Sequence, residues 1–191
     1  NCYALALNDS GHIFLATYGH GLYVSKNGGE DWTALIIPNR TRFRDIVIDD
    51  NNTITVVGDG GDVFQSDTNG ESWTYKPLLE KTDSGALYNI HCVAINDSGH
   101  LYIGTYQDGG IFRSRSQDDP WHLVNDGLIN PYINDILITK NGAMFAATQG
   151  SGVFRNLDYL GIDTNKLCEI KPDNFILYQN YPNPFNPATT I

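Results

Sequence analysis

The sequence predicts an all-β chain of repeated four-stranded sheets, and the first observation behind this prediction is internal similarity. Four segments of the 191-residue chain resemble one another. The segments begin at Ala4, Asp45, Cys92 and Asp135. The tryptophans that close the first three segments lie roughly forty to fifty residues apart, a period typical of four-stranded repeats. These tryptophans are Trp32, Trp73 and Trp121.

The second observation is the residue pattern inside each repeat. Runs such as HIFLATY, GLYVSK and HLYIGTY are rich in β-branched and aromatic residues, and turn residues interrupt them every few positions. No stretch places apolar residues at i, i+3, i+4 and i+7 over the length of a helix. In the first repeat the turns NDSG, YGHG and KNGGED separate four expected strands. These strands lie near 4–7, 12–18, 21–26 and 32–36.

Four-stranded sheets repeated about an axis form a β-propeller, and this is the fold class that we predict. Propellers usually close with about four to eight complete blades. Since the fourth repeat is expected to lack its outer strand, we expect an incomplete propeller that belongs to a longer protein. The repeats occupy about 1–36, 43–77, 90–124 and 133–156.

The composition disfavours several classes of partner. The chain contains 12 Lys and Arg against 22 Asp and Glu, a formal net charge of −10. An acidic chain repels phosphate groups, so we expect neither a nucleic acid nor an anionic membrane surface as partner. No apolar run approaches the ~20 residues that a membrane helix needs, so no transmembrane segment is predicted. The three cysteines have no CxxC spacing, and no motif indicates a metal or a cofactor.

Three eight-residue stretches end in tryptophan: SKNGGEDW, SDTNGESW and SRSQDDPW. They resemble the Asp-box, or BNR motif, of sialidase-like propellers, S-x-D-x-G-x-x-W. The resemblance implies a structural role, in which polar side chains satisfy the turn, glycine takes a strained position and tryptophan packs between blades. The motif positions are Ser25, Asn27, Gly29 and Trp32, then Ser66, Thr68, Gly70 and Trp73, then Ser114 and Trp121. The segment SGHLYIGTYQDGGIF also resembles repeats of two-component-regulator and photosystem-assembly-factor-like propellers.

The last part of the chain departs from the repeat pattern. Residues 157–174 are polar without alternation, and we interpret them as a linker. The segment 175–191 ends in NYPNPFNPATTI, which resembles the start of the C-terminal sorting domain of bacterial type IX secretion, a small immunoglobulin-like sandwich. The resemblance implies the type IX secretion machinery as a partner and a secreted or cell-surface location, with only the first strand of the sorting domain included. The residues that carry it are Asn180, Tyr181, Pro182, Asn183, Pro184, Phe185, Asn186 and Pro187.

Candidate ligand-binding side chains come from the loops between second and third strands and from the loops between blades. Their mixture of aromatic, amide, carboxylate and guanidinium groups suits sugar stacking or a peptide. The candidates are Tyr18, His20, Arg40, Arg42, Arg44, Asp59, Tyr88, His91, Tyr106, Gln107, Asp108, Tyr132 and Gln149. The three arginines alternate along an extended segment and share one face. Salt bridges with surface acids explain them more simply than a carboxylate-binding cluster does.

No catalytic residue is assigned. A glycosidase needs two carboxylates facing each other across a cleft, and Asp45, Asp59 and Asp108 qualify by position alone. We therefore expect an exported, non-catalytic module that binds a glycan or a protein at the cell exterior. Two alternatives stay open. One is a fragment of a sialidase-like or xyloglucanase-like glycoside hydrolase whose catalytic residues lie mostly outside this chain, and the other is a sensor or assembly-factor propeller.

Overall fold

The computed structural model describes residues 1–80, 82–106 and 109–156 and, for residues 175–177, the backbone alone. The predicted linker at 157–174 and the sorting motif at 180–187 lie outside these residues. In the described part, four antiparallel sheets each contain four strands in chain order. The only helical element described is a single 3-10 turn at Asp59–Gly61. The all-β propeller prediction is confirmed.

The strands follow the four repeats. Blade 1 contains β1 (Cys2–Leu7), β2 (Ile13–Thr17), β3 (Leu22–Ser25) and β4 (Thr33–Leu35). Blade 2 contains β5 (Phe43–Ile48), β6 (Ile54–Gly58), β7 (Val63–Ser66) and β8 (Thr74–Tyr75). Blade 3 contains β9 (Asn89–Ile95), β10 (Leu101–Tyr106), β11 (Ile111–Ser114) and β12 (His122–Leu123). Blade 4 contains β13 (Ile133–Ile138), β14 (Met144–Thr148), β15 (Gly152–Asn156) and β16 (Phe175–Leu177).

The outer strand of blade 4 comes from a distant part of the sequence. The sequence pattern predicted that the fourth repeat lacks this strand, because no strand-like run follows β15 directly. In the structure the backbone of β16 pairs antiparallel with β15. The fourth position of the sheet is therefore filled by residues that follow the 157–174 segment.

Adjacent blades pack face to face through three apolar clusters. The cluster between blades 1 and 2 includes Phe14, Leu22, Ile46 and Val56. The cluster between blades 2 and 3 includes Val57, Val63, Ile103 and Trp121. The cluster between blades 3 and 4 includes Cys92, Ile111, Ile136 and Phe154. Burial of these faces orders the blades relative to one another, because isolated small sheets bury too little apolar area to be stable.

Each inner strand contains one extra residue near its start. The pairing register between the first and second strands shifts there in all four blades. Such a β-bulge turns the side chain of the extra residue away from the regular alternation. The residues at this position are Tyr3, Arg44, His91 and Asn134.

The residue after the bulge in blade 2 ties that blade to blade 3. Asp45 accepts the backbone N–H of Ile46 at 2.8 Å, and its second oxygen accepts the N–H of Val93 at 2.8 Å. Cys92 lies at the same position in blade 3, where burial is the dominant influence and raises the pKa of the thiol, while a hydrogen bond from the backbone N–H of Ile136 lowers it. The position nominated as a cleft acid therefore lies between blades.

We expect Asp45→Asn to remove a pH-dependent loss of stability. Desolvation raises the pKa of Asp45 from 3.8 to about 6, against the lowering effect of its two N–H bonds. The folded protein thus binds this proton more tightly than the unfolded chain does. The protonated Asp45 stabilises the folded chain fully below about pH 4. This contribution to the free energy of unfolding, roughly 3 kcal/mol, is lost as the pH rises through about 6.

Urea unfolding between these pH values measures the effect as the difference in pH dependence between the wild-type chain and Asp45→Asn. Asp97→Asn, which changes an exposed carboxyl, serves as the matched control. An unchanged pH dependence in Asp45→Asn would show that the carboxyl is not desolvated between the blades.

The loop after the third strand of blade 1 is held by its own side chains. The Ser25 hydroxyl accepts the N–H of Gly29 at 2.8 Å, and the Asn27 side chain accepts the N–H of Asp31 at 2.9 Å. Trp32 donates its indole N–H to the Gly29 carbonyl at 3.1 Å. Because Gly29 has a φ of +95°, a side chain at this position would be strained.

Blade 2 repeats the arrangement with different residue types. The Ser66 hydroxyl accepts the N–H of Gly70 at 2.9 Å, and the Thr68 hydroxyl accepts the N–H of Ser72 at 2.9 Å. Trp73 again donates to the glycine carbonyl, at 3.1 Å. Threonine supplies the acceptor that asparagine supplies in blade 1, so the loop keeps its hydrogen bonds without a carboxylate.

The corresponding loop of blade 3 is held from outside by Lys76. This lysine is only 8 % exposed, and its Nζ donates to three backbone carbonyls at 2.6 Å each. The carbonyls belong to Ser116, Gln117 and Asp119. Trp121 donates to the carbonyl of Lys76 at 3.3 Å and not to its own loop. The loop SRSQDDPW, which departs from the motif, is therefore stabilised by hydrogen bonds from a lysine of the neighbouring blade.

Candidate functional site

A polar cavity of about 660 Å³ opens where loops of blades 1, 2 and 3 meet. Its walls come from the end of β2, the 39–44 connection into blade 2, the turn between β6 and β7, and the start of β9. Predicted residues in the walls are Tyr18, Arg40, Arg42, Arg44 and Asp59. The structure thus brings together candidates that lie about forty residues apart, because equivalent loops of adjacent blades lie side by side.

Asp59 is the centre of one hydrogen-bonded group in this cavity. Arg44 Nε lies 2.9 Å from Asp59 Oδ1, and the Tyr18 hydroxyl donates to Asp59 Oδ2 at 2.9 Å. Both side chains of the ion pair are mostly shielded, with exposures of 21 % and 18 %. Both carboxylate oxygens of Asp59 are therefore engaged by donors from neighbouring loops.

Asp62 forms a second pair of the same kind. Arg40 Nε lies 2.6 Å from Asp62 Oδ2, and the Tyr75 hydroxyl donates to Asp62 Oδ1 at 3.1 Å. The hydrogen bond with Asp62 is the largest of the effects that raise the pKa of Arg40. Two of the three arginines are thus neutralised by acids of the turn that follows β6.

Arg42 differs from the other two arginines. Its guanidinium carbon lies 5.5 Å from the centroid of the Tyr18 ring, and that of Arg44 lies 5.0 Å from the same ring. Arg42 is exposed, and among the described residues no carboxylate forms a salt bridge with it. The cavity therefore presents one exposed guanidinium beside an aromatic ring.

An aromatic cluster lies next to this cavity on the side of blades 3 and 4. The ring of Tyr106 lies 5.7 Å from His91 and 5.7 Å from Tyr132. Desolvation lowers the pKa of His91, and the positive charge of Arg44 lowers it further. The neutral form of His91 is therefore favoured where its ring contacts Tyr106.

The remaining predicted residues lie elsewhere. Tyr88 packs against Phe112 in the cluster between blades 2 and 3. His20 lines a separate hollow of about 330 Å³ on blade 1, together with Leu15 and Tyr23. Gln149 lies in the turn between β14 and β15, where its carbonyl accepts the side-chain N–H of Asn130. The candidates Gln107 and Asp108 lie outside the described residues.

Several cavity residues or partners were not predicted. Asp62 and Asn89 lie in the walls, Tyr75 fixes Asp62, and Tyr3 stacks against Arg44 at 5.5 Å. The sequence GDGGD contains a second aspartate, Asp62, in the same turn as Asp59, and this was the signal that could have identified it. Tyr3 had no comparable signal in the sequence, because the direction of its side chain depends on the bulge in β1.

Two kinds of feature are absent from the described residues. No helix there is long and apolar enough to span a membrane. No group of three or more His, Cys, Asp and Glu side chains there is arranged to hold a metal ion.

The sheets and their order define the chain as a β-propeller protein. No protein-family model matches its sequence, and no curated protein matches it. Solved propellers are similar in structure. YCF48 bound to D1 peptide is 16 % identical with a TM-score of 0.60, over 81 % of this chain and 50 % of that chain.

Two further solved structures show the same fold. The extracellular domain of the putative hybrid two component system BT4673 from B. thetaiotaomicron is 16 % identical, with a TM-score of 0.66 over 91 % of this chain and 24 % of that chain. An ancestral GH74 enzyme is 22 % identical, with a TM-score of 0.61 over 76 % of this chain and 22 % of that chain. This chain therefore spans half or less of the length of these proteins, and at such identities the likeness concerns the fold.

Proposed function

We propose that this chain is the propeller part of an exported protein, and that its cavity binds a carboxylate-bearing segment of another protein at the cell exterior. The observation that carries the proposal is the exposed guanidinium of Arg42, positioned over Tyr18 in a cavity whose described acids are already paired. A planar guanidinium binds a carboxylate through two parallel hydrogen bonds.

The ion pairs around Arg42 prepare the cavity for such a ligand. Asp59 and Asp62 hold Arg44 and Arg40 in place, so these acids do not compete for Arg42. The Tyr18 ring contacts the Arg42 guanidinium and helps to hold it in place. A ligand carboxylate would therefore meet a guanidinium whose surroundings need little rearrangement, which lowers the entropic cost of binding.

Two of the similar structures support a binding role over a catalytic one. YCF48 was solved with a D1 peptide bound, and the BT4673 structure is the extracellular domain of a putative sensor. The described acids of the cavity are each paired with an arginine and hydrogen-bonded by a tyrosine, whereas a glycosidase needs an acid and a base facing the substrate.

The test is binding of the purified chain to an array of short peptides, each present with a free and with a neutralised carboxyl group. We expect selective binding to the free carboxyl, weaker at high salt, and a loss of at least about tenfold in affinity for Arg42→Gln, the usual scale for one charged hydrogen-bonding partner. Arg115→Gln, which removes an exposed arginine of an outer loop, should bind as the wild-type chain does.

The same preparation tests the rival functions. Retention on immobilised uronate-containing glycans, with no peptide bound, would replace the protein ligand by a glycan. Release of reducing sugar from xyloglucan or from a sialylated substrate would contradict a non-catalytic role and favour the hydrolase suggested by the GH74 likeness.

Export is the second part of the proposal and rests on the NYPNPFNPATTI segment. In a bacterium with type IX secretion, the chain preceded by a signal peptide should reach the surface or the medium only when residues 175–191 are followed by a complete sorting domain. Equal secretion after deletion of residues 178–191 and the domain that follows, which keeps β16 in blade 4, would contradict the sorting role.

A further inference from the structure

The second strands of blades 1, 2 and 3 end in side chains that occupy equivalent positions. Tyr18, Asp59 and Tyr106 each lie one residue past the strand pair that flanks the bulge of their blade. Each of them also contacts the bulge residue of its own blade. The contacts are Tyr18 with Tyr3 at 5.7 Å, Asp59 with Arg44 at 2.9 Å, and Tyr106 with His91 at 5.7 Å. These side chains therefore form a row along the end of the blades at which the cavity opens.

The connection into the following blade adds one more equivalent position at each boundary. Arg42, Asn89 and Tyr132 each lie one residue before the strand pair that flanks the next bulge. The guanidinium carbon of Arg42 lies 5.5 Å from the Tyr18 ring between blades 1 and 2. Tyr132 meets Tyr106 edge to face at 5.7 Å between blades 3 and 4. The same structural position thus supplies a cation at one boundary, an amide at the next and an aromatic ring at the third.

Two members of this row are accessible to a ligand. Tyr106 is 37 % exposed, although blade 3 is covered by buried apolar clusters on both of its faces. Its exposure is therefore at the end of the blade. Asn89 lies in the cavity wall, where its Oδ1 accepts the N–H of Gly60 at 3.0 Å and no described residue accepts a hydrogen bond from its Nδ2. An exposed ring suits an apolar side chain, and an amide N–H suits a main-chain carbonyl.

We propose that this row selects carboxylate-bearing segments that also contain an aromatic residue, whose ring packs against Tyr106 while the carboxylate meets Arg42. The inference rests on the proposed function and adds the sequence preference of the ligand. Packed sheets lie about 10 Å apart, so the first and third blade boundaries are separated by up to about 20 Å. About six residues of extended peptide span this distance. The main chain between the two anchors then passes Asn89.

A series of peptides with one aspartate, one phenylalanine and blocked termini tests this proposal. The separation of the two residues is varied from one to eight positions in an uncharged Gly and Ser background, and each peptide has a partner with alanine in place of phenylalanine. Titration calorimetry with the full 191-residue chain measures the affinities. We expect a best separation of six residues or fewer, at which phenylalanine improves the affinity about tenfold over alanine.

Two variants of Tyr106 assign the effect to its ring. Tyr106→Ala should lose most of the gain from phenylalanine and keep the wild-type affinity for the alanine peptide, because the contact with Arg42 is unchanged. Tyr106→Phe keeps the ring and should bind both peptides as the wild-type chain does. Circular dichroism checks that both variants are folded.

The outcomes separate this inference from the proposed function. Equal affinity for phenylalanine and alanine peptides at every separation, or a gain from phenylalanine that survives Tyr106→Ala, would overturn the inference. If Arg42→Gln still weakens binding of both peptides in that case, the proposed function stands. Binding of the alanine peptides that does not depend on Arg42 would contradict the proposed function, and this inference with it.

Discussion

Lys76→Met is expected to lower the free energy of unfolding by about 3 kcal/mol or more. The ammonium group donates to three backbone carbonyls of the third outer loop. Methionine has similar length and fills the space, but it removes the donor to Gln117 and leaves the carbonyls of Ser116 and Asp119 to share the Ser114 hydroxyl, in a site that is 8 % exposed. The loss should exceed the modest value of one neutral hydrogen bond, because each bond here is made by a charged donor.

Urea unfolding followed by tryptophan fluorescence measures this prediction. Trp121 is a local reporter, since it donates to the carbonyl of Lys76 and its ring lies 5.8 Å from the ammonium nitrogen. Lys26→Met, at an exposed lysine in the first outer loop, is the matched control and should be nearly neutral. Equal stability of the two variants would show that the carbonyls do not depend on Lys76.

Gly61→Ala is expected to be strongly destabilising, by about 3 kcal/mol or more, while Gly60→Ala costs about 1 kcal/mol. Both glycines have positive φ, +76° and +73°, so both variants carry a similar backbone strain. A Cβ at Gly61 would overlap the carbonyl oxygen of Leu78, whereas a Cβ at Gly60 has nothing within 4 Å. The difference between the two variants therefore isolates the steric overlap.

Gly61→Ala should also impair the cavity. Gly61 precedes Asp62, and its carbonyl accepts the N–H of Leu78 at 2.9 Å, so displacement of this turn moves the acid that holds Arg40. Thermal unfolding and binding to the peptide array measure both effects. Similar melting temperatures for Gly60→Ala and Gly61→Ala would contradict the close approach of the turn to Leu78.

The fold was predictable from the sequence because its signals are local and recur in every repeat. Alternating β-branched and aromatic runs specify strands, and glycine-rich turns separate them. The strands of blade 1 lie close to their predicted bounds. The pairing of β16 with β15 has no local signal in the sequence, because β16 follows β15 only after a segment without strand pattern.

The cavity was predictable in part. Loop position alone identified Tyr18, Arg42 and Asp59, because equivalent loops of adjacent blades meet at one end of a propeller. The bulge in each inner strand was not predictable, since one extra residue leaves the alternation on either side unchanged. That bulge sets the direction of Arg44 and places Asp45 between blades instead of in a cleft.

The role of Lys76 was missed for a different reason. The third outer loop lacks the glycine of the other two, although Ser116 still provides a central acceptor. Its backbone carbonyls must still be satisfied. The compensating cation lies about forty residues earlier in the chain, which sequence alone does not indicate.

The central claim is that Arg42 is the cation that meets a ligand carboxylate, and guanidinium N–H resonances measured by NMR test it most directly. The chain is titrated with a peptide selected from the array and, separately, with the same peptide after its carboxyl group is neutralised. We expect the Nε–H resonance of Arg42 to shift with the free carboxyl only, while that of Arg115 stays in place. Unchanged Arg42 resonances at saturation, or equal shifts with both peptides, would contradict the account.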